Sequence, residues 1–314
     1  MNKEGVMSNQ KVMMPYAFFR NEVVPFQEAT VSIASHSLQY GTSCFGGIRG
    51  YFHAGKVKVF RLQDHYERLT NAVKILGMNI QMSWENFQQV IERMVKANTP
   101  QSDFYIRPFI FSEDQVLTPR FDGIDFDLAI YMTPLGHYFE SSRGLRLMIS
   151  SWRKVSDAAM STKAKAGGFY VNSALATTEA RQNGYDEALM MDDQGNIVEA
   201  SAANLFLVYR GEVIMPEAGS AMLEGITRRT VLEFLEEEGI RVRAERIDRS
   251  MVYTCDELIL TGTAAQVVFA QSVDGRVITS KKQPGPICQL LSKKLTEAIQ
   301  GKHSKSSLWL TEYN

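Results

Sequence analysis

An α+β fold with two mixed-sheet domains is the architecture this sequence predicts. Segments with apolar–polar alternation, bounded by Gly-bearing turns, outnumber the few stretches with helical periodicity. The two kinds follow no regular strand–helix–strand order, which argues against a doubly wound parallel sheet. No GxGxxG follows a strand and no GxxxxGK[ST] occurs, so the common nucleotide-binding signatures are absent. A length of 314 residues suffices for two domains.

The elements follow in order. Residues 1 to about 15 read as a loose leader. YAFFRNEVVPFQEATVSI reads as two short strands joined by a turn near Asn21. YFHAGKVKVF is a hairpin turning at His53-Ala54-Gly55-Lys56, with Val57 and Val59 alternating with Lys58. Asp64 is expected to cap a helix, with Glu67 completing a capping box. Leu69, Val73 and Leu76 share one face of that helix, and Gly77 stops it. Ser83 caps a second helix whose buried stripe is Phe87, Val90, Ile91, Met94 and Val95. FYIRPFIFS and DLAIYMTPL are strands. The polar stretch 137–146 separates residues 1–136 from a strand-rich second half, 147–314. In that half RLMISSW, DEALMMDDQGNIVEA, NLFLVYRGEVIM and DELILTG read as strands, and ITRRTVLEFLEEEG as a helix ending at Gly239.

Composition narrows the function classes. Hydrophobic residues make up 45% of the chain and the net charge is −1, so neither a nucleic-acid surface nor an acidic tail is indicated. Cys44, Cys255 and Cys288 are odd in number, far apart and without a CxxC pair. They support no disulfide framework and no metal site, and fit a reducing compartment. No signal-peptide core and no apolar run of membrane-spanning length is seen. A soluble cytoplasmic protein with no membrane or nucleic-acid partner is expected.

Lys165, in STKAKAGGFY, and Glu199, in IVEASAANLF, suggest an aldehyde cofactor held at both ends. A lysine amine condenses with the aldehyde of pyridoxal phosphate, and a carboxylate at the ring nitrogen keeps the ring electron-accepting. Taken alone, Lys165 also reads as a surface charge. Such a cofactor needs a phosphate cup. Arg61, at a strand end before a helix, could clamp a phosphate or be a surface arginine. Gly225, Ile226 and Thr227 open a helix, which is either an anion site or an ordinary helix entry. Thr263, Ala264 and Ala265 follow a strand and could offer amides and a hydroxyl to an anion. Tyr170 is placed to meet a ring hydroxyl or to pack in the core. Tyr105 and Arg107 alternate along one strand and share a face, which suits a carboxylate or a structural salt bridge.

Nine segments, SHSLQYGTSCFGGIRGY, VFRLQDHYERL, YIRPFIF, SSW, AKAGGFY, GYDEALMMD, NLF, GITR and TGTAAQ, stand in one order from Tyr16 to the C-terminus. Together they resemble the branched-chain-amino-acid aminotransferases, members of the fold-type IV group of pyridoxal phosphate enzymes. The resemblance implies a small N-terminal α/β domain (1–136), an interdomain loop (137–146) and a larger, strand-rich pseudo-barrel domain that binds the cofactor (147–314). It implies that Lys165 carries the cofactor and moves a proton between substrate Cα and cofactor C4′, and that Glu199 faces the ring nitrogen. Arg61, Ile226, Thr227 and Thr263 match the phosphate-cup positions, and Tyr170 the residue facing the ring hydroxyl. Thr263 and Ala264 match the turn that holds the substrate α-carboxylate. Tyr40, Phe45, Tyr105, Arg107 and Tyr138 match the substrate pocket, where aromatic walls take leucine, isoleucine or valine. Arg107 and Tyr105 take the distal carboxylate of glutamate.

The implied activity is reversible transfer of an amino group between a branched-chain L-amino acid and 2-oxoglutarate. The implied assembly is a homodimer or larger homo-oligomer, with the segment from Phe18 to Phe45 serving the neighbour's site. Two departures stand out. Gly46 replaces the family's carboxylate in FEGIR, and Leu135 stands where many bacterial members carry Trp. They keep in view the sister activities of the fold: D-amino-acid or (R)-amine transaminase and 4-amino-4-deoxychorismate lyase. A pyridoxal phosphate-binding pseudoenzyme is a third reading, opposed by the intact Lys165, Glu199 and cup. Lys163 could face the same side as Lys165 if that segment is extended. Lys165 is preferred because it precedes Ala-Gly-Gly as the family lysine does.

Overall fold

The computed structural model describes residues 13–136, 138, 139, 143–217, 221–278 and 283–313. Nearly all of the expected leader, and much of the 137–146 connection, lie outside the described residues.

Two sheets organise the chain. The first runs Leu310–Tyr313, Lys56–Phe60, Ile48–His53, Phe104–Phe111, Asp127–Pro134, Tyr16–Phe19, Glu22–Pro25, with the short Cys44–Phe45 strand paired to Phe104–Phe111. Every pairing in it is antiparallel, so the expectation of a mixed sheet in the first half does not hold. Short hairpins join neighbouring strands, and the long excursion through two helices returns the chain antiparallel. The hairpin turns fall where expected, with Arg20 and Asn21 at φ 50° and 63°, and Ala54 and Gly55 at 51° and 76°.

The second sheet runs Ile197–Ala200, Glu187–Met191, Leu145–Arg153, Gln266–Val273, Glu257–Gly262, Asn204–Tyr209, Glu212–Pro216, Val242–Glu245. It is mixed: Leu145–Arg153 is parallel to both of its neighbours, and Glu212–Pro216 is parallel to Val242–Glu245. Two features cut across the simple division at 137–146. Leu145 and Arg146 are already in a strand, and Leu310–Tyr313 returns from the C-terminus to pair with Lys56–Phe60 in the first sheet.

The helix after the hairpin spans Leu62–Leu76 and begins earlier than the Asp64 cap predicts. Arg61 is its N-cap residue, in left-handed backbone conformation at φ 53°, and its amide donates to Trp309 O at 2.6 Å. Asp64 lies inside the first turn and binds arginines instead of amides; Glu67 accepts from the Gln63 side chain. The Ser83 cap is as expected, accepting from Asn86 N at 3.1 Å and opening Trp84–Asn98.

Helices Tyr170–Gln182 and Pro286–Gln300 went unread in the sequence. The first buries only Ser173, Ala176 and Ala180, so it carries almost no apolar stripe. The first core gathers Ile48, Phe87, Ile91, Phe104 and Ile106, and the second Leu147, Leu189, Leu205 and Leu258. A third joins them, packing Tyr51 and Phe60 of the first sheet with Phe206, Phe234, Leu291 and Trp309. The two sheets thus meet on a continuous apolar seam, with the main cavity between them.

Candidate active site

Strand alternation sets one wall of the cavity. In Phe104–Phe111 the residues Phe104, Ile106 and Ile110 turn into the first core, which leaves Tyr105 and Arg107 on the opposite face. Both line a cavity of about 350 Å³. Tyr105 can lie flat there because Gly47 has no side chain; a Cβ at that position would overlap its hydroxyl. The Arg107 guanidinium carbon sits 4.6 Å from the Phe45 ring centre and 5.2 Å from that of Tyr105, and its Nε is buried without a partner.

Lys165 enters from the other side. A 3₁₀ turn, Thr162–Ala164, is anchored by buried Thr162 and Ala164 and delivers Lys165 in left-handed conformation at φ 48°. Its Nζ donates to Tyr170 Oη at 2.6 Å. Burial pushes the Lys165 amine well below the ordinary lysine range, and the cations Arg68 and Arg107 add to the shift against the pull of Glu199. The amine is therefore disposed to be uncharged and nucleophilic. Burial, then the Glu199 charge, pushes the Tyr170 phenol up, so it stays protonated and can donate. The turn removes the extended alternative: Lys163 is 56% exposed and pairs with Glu224 at 3.3 Å.

Glu199 is buried on the strand Ile197–Ala200 and faces the same cavity. Its carboxylate is fixed on three sides: by Lys154 Nζ at 2.5 Å, Asn204 Nδ2 at 3.2 Å and Leu223 N at 3.1 Å. Lys154, Asn204 and Leu223 are supporting groups that motif reading missed.

The anion end gathers around the start of Ile226–Glu237. Gly225 is its N-cap, and no side chain caps the first amides. A Cβ on Gly225 would run into Asn204 Oδ1, so glycine is what brings that backbone to the cavity wall. Ile226, Thr227 and Thr263 line the cavity beside it. Arg61 does not. Its side chain is 6% exposed and turned away, with Nε on Asp64 at 2.5 Å and Nη1 on Glu233 at 2.8 Å. The expected phosphate clamp is thus already neutralised by two carboxylates. Arg68 occupies the place assigned to it: seven residues on, or two helical turns, it faces the cavity. No carboxylate pairs with it among the described residues, and burial pushes its guanidinium below the ordinary arginine value. The signal in the sequence was an arginine on the same helix face as His65, Leu69 and Ala72, all buried.

The remaining expected residues divide. Phe45, Tyr138, Ala264 and Leu135 line the cavity, Tyr138 at its edge with 41% exposure. Tyr40 does not line it; its hydroxyl donates to Leu117 O at 2.7 Å and its ring packs on His36. Gly46 points elsewhere too, its amide donating to Pro108 O at 2.7 Å. A lysine amine depressed by burial, a fixed carboxylate and an unpaired cation beside helix amides without a side-chain cap fit a phosphorylated aldehyde with a basic ring nitrogen. The unpartnered Arg68 and the glycine-opened helix start fit the phosphate, and the buried Glu199 fits the ring nitrogen.

Residues 43–273 match the family model described as amino-transferase class IV. The chain belongs to the class IV aminotransferases. A relative from Aquifex aeolicus, named "Probable branched-chain-amino-acid aminotransferase", is 38% identical to this class IV aminotransferase over 301 residues, 95% of this chain and 96% of its own. Among solved structures, the branched-chain aminotransferase of Thermoproteus uzoniensis with norvaline superposes with a TM-score of 0.91 at 36% identity, covering 96% of this chain and 99% of that one. The branched-chain amino acid aminotransferase of Thermobaculum terrenum in its PLP-form gives 0.89 at 30% identity, covering 96% and 98%. The class IV fold is what the sequence led one to expect.

Proposed function

We propose that this class IV aminotransferase uses pyridoxal phosphate to move amino groups between branched-chain L-amino acids (leucine, isoleucine, valine) and 2-oxoglutarate. One observation carries the reading: the Lys165 amine, depressed by burial and held 2.6 Å from Tyr170, shares a cavity with Glu199 and an unpaired Arg68. Relatives named for branched-chain activity, alike over nearly their whole length, support the substrate class.

Bound pyridoxal phosphate supplies an aldehyde that takes up the amino group and a ring that accepts the electron pair left at Cα. The chain's own residues do the rest. Arg68, the amides of Ile226 and Thr227, and Thr263 bind the phosphate. Glu199, held by Lys154, Asn204 and Leu223, keeps a proton on the ring nitrogen. Tyr170 donates to the ring hydroxyl. With the cofactor bound, the Lys165 amine would be placed to take the proton from substrate Cα and return it at C4′. Thr263 and Ala264 hold the α-carboxylate. Phe45 and Tyr138 face an aliphatic side chain, while Arg107 and Tyr105 bind the distal carboxylate of glutamate at the cavity edge.

A homodimer is part of the same reading. Ile33, Leu38, Leu117 and Val171 are large apolar side chains at least 62% exposed, which a partner subunit would cover. Tyr40 lies in the first of these segments, which supports its serving a neighbouring subunit's site. The division expected at 137–146 would end at 144, because Leu145–Arg153 is a strand of the second sheet, and Leu310–Tyr313 would belong to the first domain. Three cysteines, all free and buried, support a reducing, cytoplasmic setting. Among the described residues, no helix is long and apolar enough to cross a membrane.

The deciding experiment adds L-leucine, D-alanine or (R)-1-phenylethylamine to separate samples of holoenzyme and follows the visible band of the bound cofactor. Bleaching with L-leucine, reversed by 2-oxoglutarate, is expected. Bleaching only with D-alanine or the amine would move the chain to a sister activity, with Gly46 and Leu135 as first suspects. No bleaching with any of the three would reject transamination.

A further inference from the structure

The phosphate cup proposed above is assembled from two helices that meet nowhere in sequence. Leu62–Leu76 supplies Arg68, and Ile226–Glu237 supplies the amides of Ile226 and Thr227. A phosphate can be gripped from both sides only if the two helices keep their spacing and phase to within a few tenths of an ångström. Between them lies Arg61. Its Nε donates to Asp64 on the first helix at 2.5 Å; its Nη1 donates to Glu233 at 2.8 Å and to Thr230 Oγ1 at 3.1 Å on the second. Thr230 Oγ1 in turn donates to Ile226 O at 3.0 Å, so the chain of hydrogen bonds ends on the first residue of the cup helix. Arg229 of the second helix crosses back to Asp64. The guanidinium carbon sits 4.8 Å from the Trp309 ring centre, and the Arg61 amide donates to Trp309 O at 2.6 Å. Trp309, 3% exposed, closes the arrangement from the C-terminal segment.

We propose that Arg61 is a positioning residue for the cofactor phosphate: a guanidinium clamp, backed by Trp309, that sets the two cup helices against each other without touching the ligand. The inference rests on the cofactor site proposed above. A planar fork with fixed donors suits this task, because it constrains direction as well as distance. Its positive charge is balanced by Asp64 and Glu233, so the clamp adds geometry to the cup and little field.

The clamp can be removed without stranding a charge. Asp64 keeps Arg229, and Glu233 keeps Lys305 at 2.9 Å. Methionine in place of Arg61 retains a Cβ, so the left-handed backbone at φ 53° is common to both proteins.

The experiment strips full-length enzyme of cofactor and titrates it with pyridoxal phosphate and, separately, with pyridoxal, which lacks the phosphate; the visible band of bound cofactor is the readout. Wild-type protein should favour pyridoxal phosphate strongly. In Arg61→Met its dissociation constant should rise about ten-fold, the scale of one coupled network, while that for pyridoxal stays within about two-fold. Arg61→Lys, which can reach one carboxylate but not span both, should recover part of the loss. Thr230→Val, which cuts the link from Arg61 to Ile226 and keeps the ion pairs, should act in the same direction and serves if Arg61→Met does not fold. Arg68→Met removes the phosphate contact itself and calibrates full loss of selectivity. Equal weakening of both ligands, or an unchanged ratio with only a lower melting temperature, would make Arg61 a general stabiliser and overturn the clamp. Wild-type protein that binds both ligands alike would overturn the phosphate cup, and the clamp with it.

Discussion

Arg68→Met should push two properties in opposite directions. Without ligand, the Arg68 guanidinium faces the cavity beside Lys165 and Arg107, with no carboxylate partner among the described residues. No carboxylate among these residues opposes its charge, and relieving a poorly satisfied polar group is worth on the order of 1 kcal/mol. In a chain of this size that raises the melting temperature of the cofactor-free protein by about 2 °C. With pyridoxal phosphate present the same guanidinium makes charge-assisted hydrogen bonds to the phosphate, each worth about 1.5–3 kcal/mol. Loss of a net ~3 kcal/mol weakens cofactor binding by about two orders of magnitude. Calorimetry of the stripped protein and equilibrium titration with cofactor measure the two effects. Inorganic phosphate should stabilise stripped wild-type protein and leave the variant's melting unchanged. A variant that melts lower without cofactor, or binds cofactor within about three-fold of wild type, would refute the assignment of Arg68.

Further outcomes concern the other groups. Lys165 has a folded-state pKa below its unfolded value, so between the two the unfolded chain holds a proton that the folded chain lacks. Stability of the cofactor-free protein then rises with pH across that window. The advantage of Lys165→Met over wild type in urea unfolding should accordingly shrink as pH climbs into the ordinary lysine range; a widening gap would contradict the depressed amine. Glu199→Gln should retain cofactor but slow the leucine half-reaction by about 10²-fold, read by stopped-flow absorbance. An unchanged rate would remove Glu199 from the ring nitrogen. Arg107→Ala should raise the KM for glutamate about ten-fold while moving that for leucine little, since only glutamate brings a second carboxylate. Equal changes would detach Arg107 from distal recognition. Sedimentation should find a dimer that Ile33→Asp together with Leu38→Asp dissociates; an unaffected dimer would place the interface elsewhere.

The hairpins, the Ser83-capped helix and the Tyr105–Arg107 alternation were legible because each follows from a local period or a turn of a few residues. Lys165 and Glu199 were legible as chemistry, since few residue types can serve an aldehyde and a ring nitrogen. Tyr170–Gln182 was not, because its buried face is Ser and Ala and carries no amphipathic contrast. Lys154 and Leu223 were not, because what they do for Glu199 exists only where three distant segments converge.

Arg61 and Arg68 mark the boundary most clearly. The amino-acid sequence by itself pointed to Arg61 as the phosphate group's partner, to Lys165 as the cofactor lysine, and to two strand-rich halves framing them. Which arginine faces the cavity was decided by tertiary structure alone. Arg61 stands at the helix start, where Asp64 and Glu233 draw its side chain away, whereas Arg68 lies within the helix on the face of buried His65, Leu69 and Ala72. That start is fixed by the Arg61 amide on Trp309 and by Glu233 on the guanidinium, partners 248 and 172 residues away in the chain. The return of Leu310–Tyr313 to the first sheet has the same origin: pairing with Lys56–Phe60 satisfies an edge that no local pattern reveals.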